Sequence, residues 1–222
     1  MSQRIIPALL PSSLPELQAD VRSLVFAHEL QIDLVDGHYV PFSAWPYEPV
    51  GDLTMVESLL ASHSIEVDLM VRDQVTAAQQ WAQIGAEMVI FHVAGISFAE
   101  VKDFAERYTN VSIAIALTTT DPIAVIKQYL PVIDQIQLMG IATIGAQGAP
   151  FDERVLDRIK EVRAVNSELS ISIDGSMNEQ TIPLARAAGA DRFVVGSALL
   201  RAADRAATFS ALTESAARAD LS

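Results

Sequence analysis

The chain has 222 residues, half of them hydrophobic, with no cysteine and a formal net charge of −13 at pH 7. This length suffices for one substantial buried core, and the acidic balance without a basic stretch argues against nucleic acid as a partner. The lack of cysteine excludes disulfides, thiolate zinc sites and cysteine nucleophiles, and we expect a cytoplasmic protein. An N-terminal apolar run broken by Pro7 and Pro11 predicts neither a signal peptide nor a membrane span.

Eight short apolar runs along the chain predict strands, because they are rich in β-branched residues and are bounded by turn signals. In chain order they lie near residues 4–9, 31–35, 65–70, 87–93, 111–117, 133–139, 169–174 and 192–196. Most are apolar on both faces. Such strands are typical of a parallel sheet that helices cover on its outer side.

Between the strands, apolar residues recur every three or four positions, which predicts amphipathic helices. These helices lie near residues 14–27, 53–60, 75–84, 98–108, 122–129, 153–165, 179–188 and 199–217. Eight βα units in one uninterrupted chain predict a (β/α)8 barrel as a single domain over residues 1–222. An open doubly wound sheet is disfavoured, because no glycine-rich phosphate fingerprint follows the first strand.

Polar side chains stand at the ends of several predicted strands, where barrel enzymes carry their active sites. Strand alternation places Gln31 and Asp33 on one face of the second strand, and Glu66 and Asp68 on one face of the third. His92 ends the fourth strand, Asp174 the seventh, and Asp36 beside Gly37 is expected to shape the turn after the second. A mouth with several carboxylates needs a metal, a proton or a cationic substrate to offset their repulsion.

Glycine and serine follow the last three strands, which predicts a phosphate site. Backbone N–H groups approach an anion closely at glycine, and serine adds a hydroxyl donor. Barrels of this type commonly hold phosphate after strands seven and eight. The only lysines, Lys102, Lys127 and Lys160, fall within predicted helices and exclude a Schiff-base aldolase. The predicted phosphate-binding residues are Gly145, Gly148, Gly175, Ser176, Gly196 and Ser197.

From end to end, the chain resembles the ribulose-phosphate 3-epimerase family. The likeness rests on DLVDGHYVP from Asp33, VDLMV from Val67, FHV from Phe91, IGAQGAPF from Ile144, SIDGS from Ser172 and VVGSAL from Val194. The resemblance implies a (β/α)8 enzyme that inverts the carbon next to the ketone of a pentulose phosphate. It also implies that Asp33 and Asp174 are the catalytic acid and base, and that Met70, Met139 and His92 belong to the substrate pocket.

The resemblance further implies a divalent metal held by two aspartates and two histidines. Gln31 and Asp68 stand where those histidines are expected. The resulting metal set is therefore Gln31, Asp33, Asp68 and Asp174. This all-oxygen set favours Mg²⁺ or Mn²⁺ over Zn²⁺, if a metal binds at all.

Two other functions stay open at the level of sequence. One is a catalytically weakened barrel that binds a phosphorylated sugar without turnover. The other is a Mg²⁺-dependent lyase or isomerase of the related phosphosugar decarboxylase and synthase group, whose Asp-x-Lys-x-x-Asp motif is matched by Asp68 and Asp73 but has Met70 in place of lysine. A homo-oligomer also stays open, because Trp45 and Tyr47, expected to be exposed, form either a subunit contact, a lid or a packed loop.

Overall fold

A computed structural model of the chain describes residues 4–60, 62–145 and 148–218. The ends of the predicted domain, residue 61, and Ala146 and Gln147 of the predicted phosphate motif lie outside the described residues. Eight parallel strands pair in chain order and close into a barrel, which confirms the predicted fold. The strands are β1 Arg4–Leu9, β2 Glu29–Val35, β3 Ser64–Met70, β4 Met88–His92, β5 Ser112–Leu117, β6 Gln135–Met139, β7 Ser170–Asp174 and β8 Arg192–Val195.

Helices connect the strands and cover the barrel from outside. They are α1 Leu14–Ser23, α2 Glu57–Leu60, α3 Gln74–Gln83, α4 Phe98–Arg107, α5 Ile126–Tyr129, α6 Arg154–Val165, α7 Thr181–Ala188, α8 Ser197–Leu200 and α9 Arg205–Arg218. Short 3₁₀ turns at Leu53–Val56 and Ile123–Val125 precede α2 and α5. Among the described residues, no helix is long and apolar enough to cross a membrane.

The last predicted helix is wrong as a single element, because it divides into α8 and α9. Asp204 lies between the two helices, and its carboxylate accepts a hydrogen bond of 2.9 Å from the backbone N–H of Ala207. A side chain that caps the first turn of α9 in this way satisfies a backbone donor that the helix itself leaves unpaired. Local capping chemistry therefore interrupts an apolar pattern that looks continuous in the sequence.

The register of the strands brings the polar positions of the sequence together. Asp33 of β2 pairs with Asp68 of β3, and Met139 of β6 pairs with Asp174 of β7. Because all eight strands are parallel, their C-terminal ends meet at one mouth of the barrel. Apolar side chains of the strands pack outward against the helices, so that polar side chains such as Gln31 fill part of the barrel interior.

The loop after β2 is packed rather than exposed. Trp45 is only 2% exposed and belongs to the main core, and Tyr47 packs against that core. Gly51 makes room for the indole, since a Cβ atom at Gly51 would lie 2.1 Å from Nε1 of Trp45. The expected exposure of Trp45 is thus wrong, and the packed-loop interpretation is confirmed.

Candidate active site

An amide group connects the two aspartates that the sequence singles out. Nε2 of Gln31 donates to Oδ1 of Asp33 at 2.7 Å and to Oδ2 of Asp174 at 2.9 Å. Gln31 is fully buried, whereas the two aspartates are partly exposed. The barrel therefore brings Asp33 and Asp174, which are far apart in the chain, to opposite sides of one side chain at its mouth.

Asp68 completes the acidic cluster from the interior side. One oxygen from each of Asp33, Asp68 and Asp174 lies within 4.8 Å of the other two. Oδ2 of Asp68 and Oε1 of Gln31 are buried and have no hydrogen-bond partner. Carboxylate and amide oxygens are the ligands that Mg²⁺ and Mn²⁺ prefer. The residues present therefore fit an oxygen-preferring divalent cation, which Gln31, Asp33, Asp68 and Asp174 could hold.

The surroundings of the cluster favour the protonated form of its carboxyls. Burial, followed by the negative charges of Asp174 and Asp68, raises the pKa of Asp33 well above its ordinary value. Burial and the charge of Asp68 raise the pKa of Asp174 to about 7. Hydrogen bonds from the Gln31 amide lower both pKa values and offset part of this effect. A buried carboxyl whose pKa lies near neutrality is suited to accept and return a proton at physiological pH.

A cleft leads from these aspartates to the loops after β6, β7 and β8. Asp33, Asp174, Met70 and Met139 line it, as do all six predicted phosphate-binding residues, whereas His92 does not. Gln31 and Asp68 lie beneath the lining rather than within it. The predicted acid and base therefore share one cleft with the predicted phosphate-binding residues, namely Gly145, Gly148, Gly175, Ser176, Gly196 and Ser197.

Two glycines of this cleft permit loops to approach that bulkier residues would hold apart. Gly145 has φ +84°, and a Cβ atom there would lie 2.6 Å from Cγ2 of Val40. Gly175 has φ +112°, and its Cβ would lie 2.9 Å from Ile141. The next residue, Ser176, also has positive φ, at 56°, and its hydroxyl donates to the carbonyl of Ala149. The loops after β2, β6 and β7 are thus closed tightly around the mouth.

Sequence reasoning missed Gln137 on β6. Its Nε2 donates to Oδ2 of Asp174 at 3.3 Å, and the side chain is fully buried. The signal was present in QIQLM of β6, where strand alternation places Gln135, Gln137 and Met139 on one face. Asp174 therefore receives two amide donors, one from β2 and one from β6.

Asp36 shapes the turn after β2, as predicted. Its carboxylate accepts backbone hydrogen bonds from His38 at 2.8 Å, Tyr39 at 3.0 Å and Arg72 at 2.8 Å. These bonds outweigh partial burial and lower the pKa of Asp36. The turn that carries the β2 loop over the mouth is thus tied to the loop after β3.

Asp36→Ala is expected to lower the free energy of unfolding by roughly 2 kcal/mol, because three backbone donors lose a charged acceptor. Urea unfolding measures this loss. Asp157→Ala, at an exposed position of α6, is the control and is expected to change little. Equal unfolding free energies for wild type and Asp36→Ala would contradict the assigned role.

An acidic cluster at the mouth of a closed (β/α)8 barrel, beside a glycine-lined cleft, defines an enzyme site of the TIM-barrel class. A family model described as the Ribulose-phosphate 3 epimerase family matches residues 4–200. The ribulose-phosphate 3-epimerase of Mycobacterium leprae (strain TN) is 32% identical over 218 residues, which cover 96% of this chain and 94% of that protein. The chain belongs to the ribulose-phosphate 3-epimerase family and is an epimerase-like enzyme.

Solved structures with lower sequence identity share the fold. The 3-keto-L-gulonate-6-phosphate decarboxylase from Vibrio cholerae has a TM-score of 0.75 at 18% identity, over 98% of this chain and 99% of that chain. KGPDC from Streptococcus mutans, solved in complex with a small phosphosugar, has a TM-score of 0.75 at 17% identity, with the same coverage of both chains. At this identity the likeness supports the barrel architecture alone.

Proposed function

We propose that the protein epimerises a ketose phosphate of the ribulose 5-phosphate type at the carbon next to the ketone. The observation that carries this proposal is the placement of Asp33 and Asp174, which the Gln31 amide joins at the floor of one cleft. Inversion requires one group to remove a proton from one face and another group to return a proton to the opposite face. Two carboxyls on different strands meet that requirement.

The protonation of the two carboxyls suits this exchange. Since like charges in a buried cluster resist simultaneous ionisation, one carboxyl keeps a proton while the other is ionised. The ionised aspartate removes the proton next to the ketone, and the protonated aspartate donates to the other face of the resulting enediolate. Reversal of the two roles gives the opposite epimer, and the amides of Gln31 and Gln137 hold Asp174 in place throughout.

Gln31, Asp33, Asp68 and Asp174 are the proposed ligands of Mg²⁺ or Mn²⁺. Bound there, such a cation supplies positive charge next to the oxygen on which the enediolate charge develops. It also offsets the repulsion among the three carboxylates. The burial of unpartnered oxygens on Asp68 and Gln31 supports this donor set.

The substrate phosphate is proposed to bind at the glycine-rich end of the cleft. Gly145, Gly148, Gly175, Ser176, Gly196 and Ser197 line that end, and backbone N–H groups at glycine are accessible to phosphate oxygens. Met70 and Met139 line the same cleft and are proposed to pack against the carbon chain of the sugar. The phosphosugar complex of the structurally similar KGPDC supports a phosphosugar as the ligand class.

The decarboxylase and synthase alternative lacks a candidate for one of its groups. Met70 occupies the position of the lysine in the Asp-x-Lys-x-x-Asp motif. Asp73, the last residue of that motif, caps α3 by accepting a hydrogen bond of 3.0 Å from the backbone N–H of Thr76. Asp73 thus has a structural reason to be present, and the epimerase assignment accounts for more of the site.

Conversion of ribulose 5-phosphate into xylulose 5-phosphate, followed by NMR, tests the proposed function. We expect turnover with Mg²⁺ or Mn²⁺ and a large loss of rate after treatment with EDTA. Phosphosugar binding without turnover under every metal condition would favour the binding-barrel alternative. Release of carbon dioxide from a keto-acid sugar phosphate, with no epimerisation, would favour the decarboxylase group.

A further inference from the structure

A buried histidine contacts the acidic cluster from behind. Nε2 of His92 lies 2.7 Å from Oδ1 of Asp68, and the side chains are 1% and 0% exposed. Because a carboxylate is the partner, Nε2 carries the hydrogen of this bond. Oδ1 of Asp68 is thereby occupied, whereas Oδ2 has no partner. Oδ2 is therefore the oxygen of Asp68 that is free to serve the cluster.

His92 is itself held by two neighbouring groups. The side-chain amide of Gln74 accepts from the backbone N–H of His92 at 2.7 Å and donates to its carbonyl at 3.1 Å. The ring of Tyr39 packs on the imidazole, with 5.4 Å between ring centroids. These contacts fix both the backbone and the ring, so that Nε2 is directed at Asp68.

The surroundings of His92 differ from those of a histidine that only fills the core. His63 is such a residue, since Nδ1 lies 2.9 Å from Oγ of Ser62 and Nε2 lies 3.4 Å from the carbonyl of Leu24. In His92, by contrast, Nδ1 is buried without a partner among the described residues, and Nε2 makes the bond to Asp68. Gln74 already secures the backbone of β4 at this point, so strand pairing does not require the imidazole.

We propose that His92 is a positioning residue that acts through Asp68. By holding Oδ1, it fixes the carboxylate in the rotamer that presents Oδ2 to a divalent cation shared with Asp33 and Asp174. Hydrogen bonds from outer residues to metal-binding side chains have this effect in many sites, and their loss weakens metal affinity about 10- to 100-fold. The inference rests on the proposed metal site and adds a residue to it that does not line the substrate cleft.

The test is the affinity of the purified, metal-stripped protein for Mn²⁺, measured by electron paramagnetic resonance of the free ion. His92→Phe keeps a ring of similar size but removes the donor, and we expect its Mn²⁺ affinity to fall by about 10- to 100-fold. His92→Gln places an amide nitrogen near the former Nε2 and should recover part of the loss. His63→Phe is the matched control, for which we expect an affinity within about twofold of wild type.

Dependence on Asp68 separates positioning from a general loss of structure. In an Asp68→Asn background, His92→Phe should weaken Mn²⁺ binding by less than about twofold, because the residue through which His92 acts has already been altered. An unchanged affinity in folded His92→Phe, or the full loss repeated in the Asp68→Asn background, would overturn the proposal. Should His92→Phe fail to fold, His92→Asn, whose amide is too short to reach Asp68, is measured against the same criteria.

Failure of this inference is distinguishable from failure of the proposed function. Wild-type protein that binds no Mn²⁺ but epimerises ribulose 5-phosphate would overturn the role of His92 and leave the acid and base assignment intact. Tight Mn²⁺ binding that depends on His92, without epimerisation, would support the inference and count against the proposed reaction.

Discussion

Asp174→Asn is expected to lower kcat for ribulose 5-phosphate epimerisation by about 10²- to 10⁴-fold, the range for loss of a general acid or base. The amide has the size of the carboxyl but neither accepts nor releases the proton. Asp33→Asn is expected to have an effect of similar size, since one turnover uses both groups. A steady-state assay of each purified variant, with saturating Mn²⁺, measures the loss.

Two controls make this prediction specific. Asp157→Asn, at an exposed position of α6, should leave kcat at the wild-type value. The doubly substituted protein should be about as slow as each single variant, because residues that act as a unit are not additive in their effects. A variant with asparagine at either position that retains more than about a tenth of the wild-type kcat would remove that aspartate from the mechanism.

In the metal-free protein, the free energy of unfolding is expected to fall by roughly 2 to 4 kcal/mol as the pH rises from 4 to 8. The sign follows from the raised pKa of Asp33 and of Asp174, the latter to about 7. Between the ordinary pKa of an aspartate and these raised values, the folded protein binds more protons than the unfolded chain. Stability must therefore decrease with increasing pH across this window. Urea unfolding in EDTA at several pH values measures the slope.

Asp174→Asn should be more stable than wild type at pH 8 without metal, and its stability should depend less on pH. The substitution removes one buried carboxylate and relieves Asp33 of the repulsion that raises its pKa. Saturating Mn²⁺ should raise the stability of the wild type more than that of this variant. A wild-type protein whose stability rises with pH through this range, in EDTA, would contradict the ionisation assigned to the cluster.

Much of the fold and part of the site followed from local sequence patterns. The eight strands end within two residues of their predicted limits, because β-branched runs and turn residues are local signals. Asp33 and Asp174 stand out in the sequence as charged residues within apolar strands. Asp36 is similar, since its bonds to His38 and Tyr39 lie within one turn.

The contacts that join the site are long-range and could not be read from periodicity. Gln31 and Asp174 are 143 residues apart, and His92 and Asp68 are 24 apart. Their meeting depends on strand register and on closure of the barrel, to which the whole chain contributes. The sequence predicted Gln31 and Asp68 as metal ligands from a resemblance, but it contained no sign that the Gln31 amide lies between the two aspartates.

The origin of the hydrogen at the inverted carbon tests the two-aspartate reaction most directly. Ribulose 5-phosphate is incubated with Mn²⁺-loaded enzyme in D₂O, and both epimers are analysed by mass spectrometry early in the reaction. We predict one deuterium in the xylulose 5-phosphate and almost none in the remaining ribulose 5-phosphate, because separate carboxyls serve the two faces. Equal early labelling of both epimers, or product without deuterium, would contradict the account.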